Sequence, residues 1–213
     1  MKRKEFLWFL FIVLIGAILF FNLEKIEPTA YQEEIAKEII RLHVIGASDR
    51  ECDQQLKLQV KEAVVSELRA KLSKARTIEE ARQIIKVELG NIEKVSNEVI
   101  REKGFSYEAR ASLGQAVFPI KMYGDLTFPA GEYEALRIQL GKAEGKNWWC
   151  VMFPTLCFVD EAKQEITEEN KEQFKKVLSK EEYESIDKNS EKQVFFKLKI
   201  GEYLNKVIDY FPI

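Results

Sequence analysis

The sequence predicts an α+β protein: an N-terminal membrane or export helix, then one domain in which a mostly antiparallel sheet is covered by long amphipathic helices. Three observations carry this. Phe6 to Leu23 is one uncharged apolar run; two stretches between Ser48 and Gly104 repeat apolar residues three and four apart; and from Phe105 to Asp160 apolar residues alternate or cluster between Gly and Pro turns.

Met1-Lys2-Arg3-Lys4 precedes the apolar run. At about 1.5 Å per residue, Phe6–Leu23 covers roughly 27 Å, close to the ~30 Å hydrocarbon thickness of a bilayer. The basic cluster keeps the N-terminus cytoplasmic and sends the rest of the chain across. A cleaved signal peptide has the same polarity but a shorter apolar core of ~7–15 residues, and no Ala-x-Ala site follows here. Residues 1–23 therefore read as an uncleaved signal anchor, with a signal peptide as the alternative. Residues 24–32, with Pro28, form a polar linker.

An α+β core domain is expected over residues 33–160. Ile35 to Ile45 is dense in β-branched residues, ends at Gly46 and reads as a strand buried on both faces. Ser48-x-x-Glu51 is a capping-box pattern opening a helix with Leu56, Val60, Val64, Leu68 and Leu72 on one face. Thr77-x-x-Glu80 opens a second, with Ile78, Ala81, Ile85 and Leu89; Gly90 is expected to interrupt it before Ile92, Val95, Val99 and Ile100 resume the stripe. The sheet comes from Phe105–Leu113, a short Val117–Met122 strand with Pro119 at an edge or bulge, and Glu132–Leu140.

Lys146 to Asp160 holds two of the three tryptophans and two of the three cysteines. Trp148–Phe153 and Leu156–Val159 flank Pro154-Thr155 as in a hairpin. A turn centred between Phe153 and Pro154 opposes Cys150 to Cys157 and Val151 to Leu156. Alternation sets Trp149, Val151 and Leu156 on one face, and Trp148, Met152 and the sulfurs on the other. A Cys150–Cys157 disulfide would add roughly 2–3 kcal/mol and requires an oxidising compartment; two buried free thiols are the alternative. Cys52 is left over as a packed thiol.

Residues 161–192 shift to Glu and Lys and read as a solvated helical pair, with Phe174, Val177 and Leu178 on one stripe and Ser179-x-x-Glu182 capping a second helix through Tyr183 and Ile186. Residues 193–213 read as a strand running into an amphipathic helix.

The 33 basic and 35 acidic side chains give no electrostatic footprint for nucleic acid. His43 is the one histidine, so a histidine mechanism has a single candidate, with Asp49, Cys52 and Asp53 following it. A membrane-anchored extracytoplasmic hydrolase or metal-dependent enzyme using His43 is thus one reading. The spacing crosses a strand–helix junction and fits no metal or nucleophile motif; the plainer roles are a strand histidine and first-turn carboxylates. No catalytic residue, metal or cofactor is expected. Surplus aromatics, Tyr123, Phe128, Tyr133, Trp148 and Trp149, suit core packing or a partner surface, where Trp and Tyr concentrate binding energy.

Three blocks resemble the stage II sporulation protein R family of endospore-forming bacteria. They are Ile40-Arg41-Leu42-His43-Val44-Ile45-Gly46-Ala47-Ser48-Asp49; Phe118-Pro119-x-Lys121-x-Tyr123-Gly124-Asp125 with Pro129-Ala130-Gly131-Glu132-Tyr133; and Asn147-Trp148-Trp149-Cys150-Val151 through Phe153-Pro154 to Cys157-Phe158-Val159-Asp160. The resemblance ends near Asp160. It implies an exported intercellular signalling protein, not an enzyme, made in the forespore and sent across its membrane into the space between the septal membranes. There it is expected to activate a membrane-embedded aspartic protease of the mother-cell membrane, triggering cleavage of the sigma-E precursor. The resemblance assigns no contact residues; it is the two-faced apolar hairpin, in a domain with no ligand motif, that makes Tyr123, Tyr133, Trp148 and Trp149 the expected partner-binding residues.

Overall fold

A computed structural model describes residues 31–157 and 166–190. The expected N-terminal helix, most of the linker, the 158–159 end of the cysteine hairpin and the 193–213 strand and helix lie outside them. Among the described residues, no helix is long and apolar enough to cross a membrane.

The chain runs α1 (Gln32–Glu38), β1 (Ile40–Ile45), α2 (Glu51–Leu72), α3 (Ile78–Glu102), β2 (Ala109–Phe118), β3 (Lys121–Tyr123), β4 (Leu126–Phe128), β5 (Gly131–Leu140), β6 (Asn147–Phe153), α4 (Glu168–Val177) and α5 (Lys180–Ile186). Four strands form one sheet in the order β2-β5-β1-β6, and β3-β4 is a separate ribbon. β1 pairs parallel to β5, while β1–β6 and β2–β5 are antiparallel. The sheet is therefore mixed: two long helices separate β1 from the later strands, and β1 lies between β5 and β6 with all six residues buried.

The α+β class, the two long helices and the alternating strands hold. Several boundaries move. The expected strand from Ile35 begins at Ile40, because Gln32–Glu38 turns as a helix with Glu33 and Glu34 in its first turn and Lys37 in its last, favourable ends for the helix dipole. Ser48 does not cap α2; its hydroxyl donates to the buried Asp53 carboxylate, and the helix starts after Arg50 without a side-chain cap. Thr77 does cap α3, accepting from the Glu80 N–H. Gly90 does not interrupt α3. A mid-helix glycine costs about 1 kcal/mol, and burial of Ile85 and Ile92 on either side outweighs it. Phe105 and Tyr107 precede β2 and pack against the core, and β2 runs on to Phe118 before Pro119 ends it.

β1 divides the core. Ile40, Leu42 and Val44 join Leu136, Ile138, Cys150 and Met152 under α2 and α3. On the opposite face Phe118, Tyr133, Ala135 and Val151 pack with Ile35, Ile39, Phe128, Phe174, Tyr183 and Ile186. The charged helices α4 and α5 thus seal that side with their apolar stripes, and the Ser179–Glu182 capping box is complete.

The alternation expected in the cysteine block is present: Trp148, Cys150 and Met152 line the helix side, Trp149, Val151 and Leu156 the other. The Leu156 N–H donates to the Val151 carbonyl at 3.0 Å, and Cys150 and Cys157 are joined with their Cα atoms 5.6 Å apart. Leu156 and Cys157 are not a strand, and the ladder partner of β6 is β1. Cys52 is exposed rather than packed, because it lies on the outer side of the first turn of α2.

Candidate functional site

The face of the sheet away from α2 and α3 is built around one charge. Arg41 is the single ionisable side chain between Ile39 and Val44 apart from His43, and period-2 alternation turns both away from the aliphatic core. Arg41 is fully buried. Its guanidinium carbon lies 4.1 Å from the Phe118 ring centroid, 4.9 Å from Tyr133 and 5.8 Å from Phe128, so ring faces replace water around the cation. Nη2 donates to the Tyr123 hydroxyl at 3.2 Å, and that hydroxyl donates to the Trp149 carbonyl at 3.1 Å. Burial lowers the Arg41 pKa against the opposing pull of Tyr123 and Tyr133; a guanidinium remains charged at neutral pH. Burial pushes Tyr133 up to about 12, outweighing the nearby Arg41. Its hydroxyl donates to the Pro129 carbonyl at 2.8 Å.

One register step along, His43 sits between Arg137 of β5 and Trp149 of β6. The imidazole stacks on the Trp149 indole at 3.8 Å and 21°, and meets the Phe118 edge at 5.9 Å. Its Nε2 shares a 2.7 Å hydrogen bond with Asn147 Oδ1. Burial lowers the His43 pKa, the Asn147 bond opposes this, and Arg137 adds to the lowering.

The carboxylates that follow His43 in the sequence bond elsewhere. Asp49 accepts from the Lys146 backbone N–H at 2.7 Å. Asp53 accepts from Ser48, from the Tyr107 hydroxyl at 2.7 Å and from Arg50 Nε at 3.0 Å. Burial works to raise its pKa, but these hydrogen bonds hold it below the usual carboxylate range. Both carboxylates anchor the start of α2 and the turn before β6. No group of His, Cys, Asp and Glu among the described residues could hold a metal ion.

Of the four expected partner-binding residues, Tyr123 and Trp149 stand together on the Arg41 face, each partly exposed. Tyr133 is enclosed beneath them, so a partner meeting this surface does not touch its ring. Trp148 faces the other way, with Lys61 Nζ 4.4 Å above its indole. In the sequence Arg41, Phe118 and Asn147 stand within the blocks of family resemblance but carry no sign of a role. The available signal was an arginine two residues before His43 in a strand whose other residues are all aliphatic.

A family model described as stage II sporulation protein R matches residues 36–163. Stage II sporulation protein R of Bacillus subtilis (strain 168) is 38% identical over 200 residues, covering 87% of this chain and 88% of that protein. No solved structure matches the chain.

Proposed function

The chain belongs to the stage II sporulation protein R family, which gives it a role in sporulation, and on that premise we propose that it is an exported signal acting by contact. It leaves the forespore through its N-terminal segment and switches on a membrane-embedded aspartic protease in the facing septal membrane, which then cleaves the sigma-E precursor. The family match is the observation that carries this reading. The basic-then-apolar order of residues 1–23 supports export, and the Cys150–Cys157 bond is in keeping with an oxidising compartment. Tyr123 and Trp149, fixed from beneath by Arg41 and His43, supply a rigid aromatic patch of the kind that binds at low entropic cost.

The test is expression of the full chain with the protease and the sigma-E precursor in a non-sporulating host. Precursor cleavage that depends on this chain is the expected result. Cleavage that proceeds equally without it, or only when the protein is confined to the cytoplasm, overturns the reading.

A further inference from the structure

Five large hydrophobic side chains are exposed among the described residues, and three fall within six positions: Val117 at 73%, Ile120 at 42% and Met122 at 61%. They surround the corner where β2 ends at Phe118-Pro119 and β3 begins. Alternation turns Ile120 and Met122 outward while Tyr123 reaches in to Arg41. Exposed apolar residues scattered singly are ordinary; a cluster at one corner calls for an occupant.

The chain's own path identifies it. Gln32 Nε2 donates to the Glu132 carbonyl at 3.0 Å, and a Cβ at Gly131 would collide with the Gln32 side chain. In the β2–β5 ladder, Gly131 pairs with Phe118 and Glu132 with Val117. The N-terminal segment therefore joins the domain at the same end of the sheet as the apolar corner. The eight residues Glu24–Tyr31 separate this point from the apolar run and reach at most about 29 Å, and that only when fully extended. β5 carries the sheet ten residues away from that end, about 30 Å, to the turn containing Lys142.

We propose that the Val117–Met122 corner lies against the phospholipid bilayer that holds the N-terminal segment, seating Ile120 and Met122 at the acyl boundary and setting the domain upright with the Lys142 turn pointing away. The proposal rests on the reading of Phe6–Leu23 as a membrane segment. Burying the corner fixes the height and tilt of the Tyr123–Trp149 patch above that bilayer.

The test uses the full chain with Cys52→Ser, carrying Ile120→Cys, Met122→Cys or Lys142→Cys labelled with a polarity-sensitive dye. Each is reconstituted into phosphatidylcholine–phosphatidylglycerol vesicles with acyl-brominated lipid, and circular dichroism confirms the fold. Retention through alkaline carbonate extraction, with blue-shifted and bromolipid-quenched emission at 120 and 122 and neither at 142, is the expected result. Retention with all three dyes equally wet overturns the proposal and leaves the anchor standing. Release by carbonate with wet dyes overturns both.

Discussion

The two faces of the β2-β5-β1-β6 sheet are made of different chemistry, divided residue by residue along β1. Leu42 and Val44 look into an aliphatic layer beneath α2 and α3; Arg41 and His43 look into rings. Aliphatic burial is non-directional, so that side responds to volume and little else. The other side is directional: a cation over three ring faces, a hydroxyl relaying a hydrogen bond to the Trp149 carbonyl, an imidazole stacked on an indole. The first arrangement holds the domain together. The second adds less stability, because desolvating a guanidinium is costly, but it fixes the positions of Tyr123 and Trp149.

The sharpest way to break that contrast is a pair of substitutions on adjacent residues. Leu42→Ala is expected to lose about 2–5 kcal/mol in urea unfolding. Arg41→Met should lose less, since methionine fills the slot and removes a buried charge, yet it should impair protease activation by freeing Tyr123. Equal losses of stability would show that both faces serve the same purpose. Next in size, replacing Cys150 and Cys157 together by serine opens the loop they close and should cost roughly 2.5 kcal/mol on the chain-entropy account. Wild-type protein in reductant should show the same drop.

The two tryptophans sharpen the comparison further. Trp149→Ala should weaken productive contact with the protease about 30-fold, roughly 2 kcal/mol, once the stability lost with its His43 and Phe118 contacts is corrected for. Trp148→Ala, which removes the indole beneath Lys61 on the helix side, should lower stability and spare activation once folding is corrected for. The reverse pattern would move the contact surface to the helix side. The smallest effect is in pH. Because burial holds folded His43 below its ordinary value, the unfolded chain takes up the proton first. This contribution to stability is fully present above pH about 6.5 and falls as pH drops through that value, by at most about 1.4 kcal/mol per pH unit. His43→Gln should flatten that slope below about pH 6.5 while still supporting precursor cleavage; loss of all cleavage in a folded His43→Gln protein would favour an enzyme.

Much of the fold was legible because it is periodic or local. The stripes of α2 and α3, the Thr77 cap, the Ser179–Glu182 box, the alternation that parts Trp148 from Trp149 and the opposition of Cys150 to Cys157 all depend on neighbours within a few residues. At one misread element a tertiary network outbid a local signal. Ser48 has the pattern of a cap, but the buried Asp53 carboxylate, also held by Tyr107, takes its hydroxyl. The candidate site was legible in part: Tyr123 and Trp149 stand out by type, whereas nothing local marks Arg41 as their support or Tyr133 as enclosed.

By itself the sequence determined the class of the domain, the apolar stripes of its long helices and which side of the alternating strands is apolar, since these follow from periods of 3.6 and 2 along one chain. Only the tertiary structure decided that β1 lies parallel to β5 and antiparallel to β6, and that a lone arginine ends among Phe118, Phe128 and Tyr133 with Tyr123 bonded to it. Those pairings join residues tens to a hundred positions apart. A one-dimensional pattern records that a residue must be buried; it does not record which distant side chains will surround it.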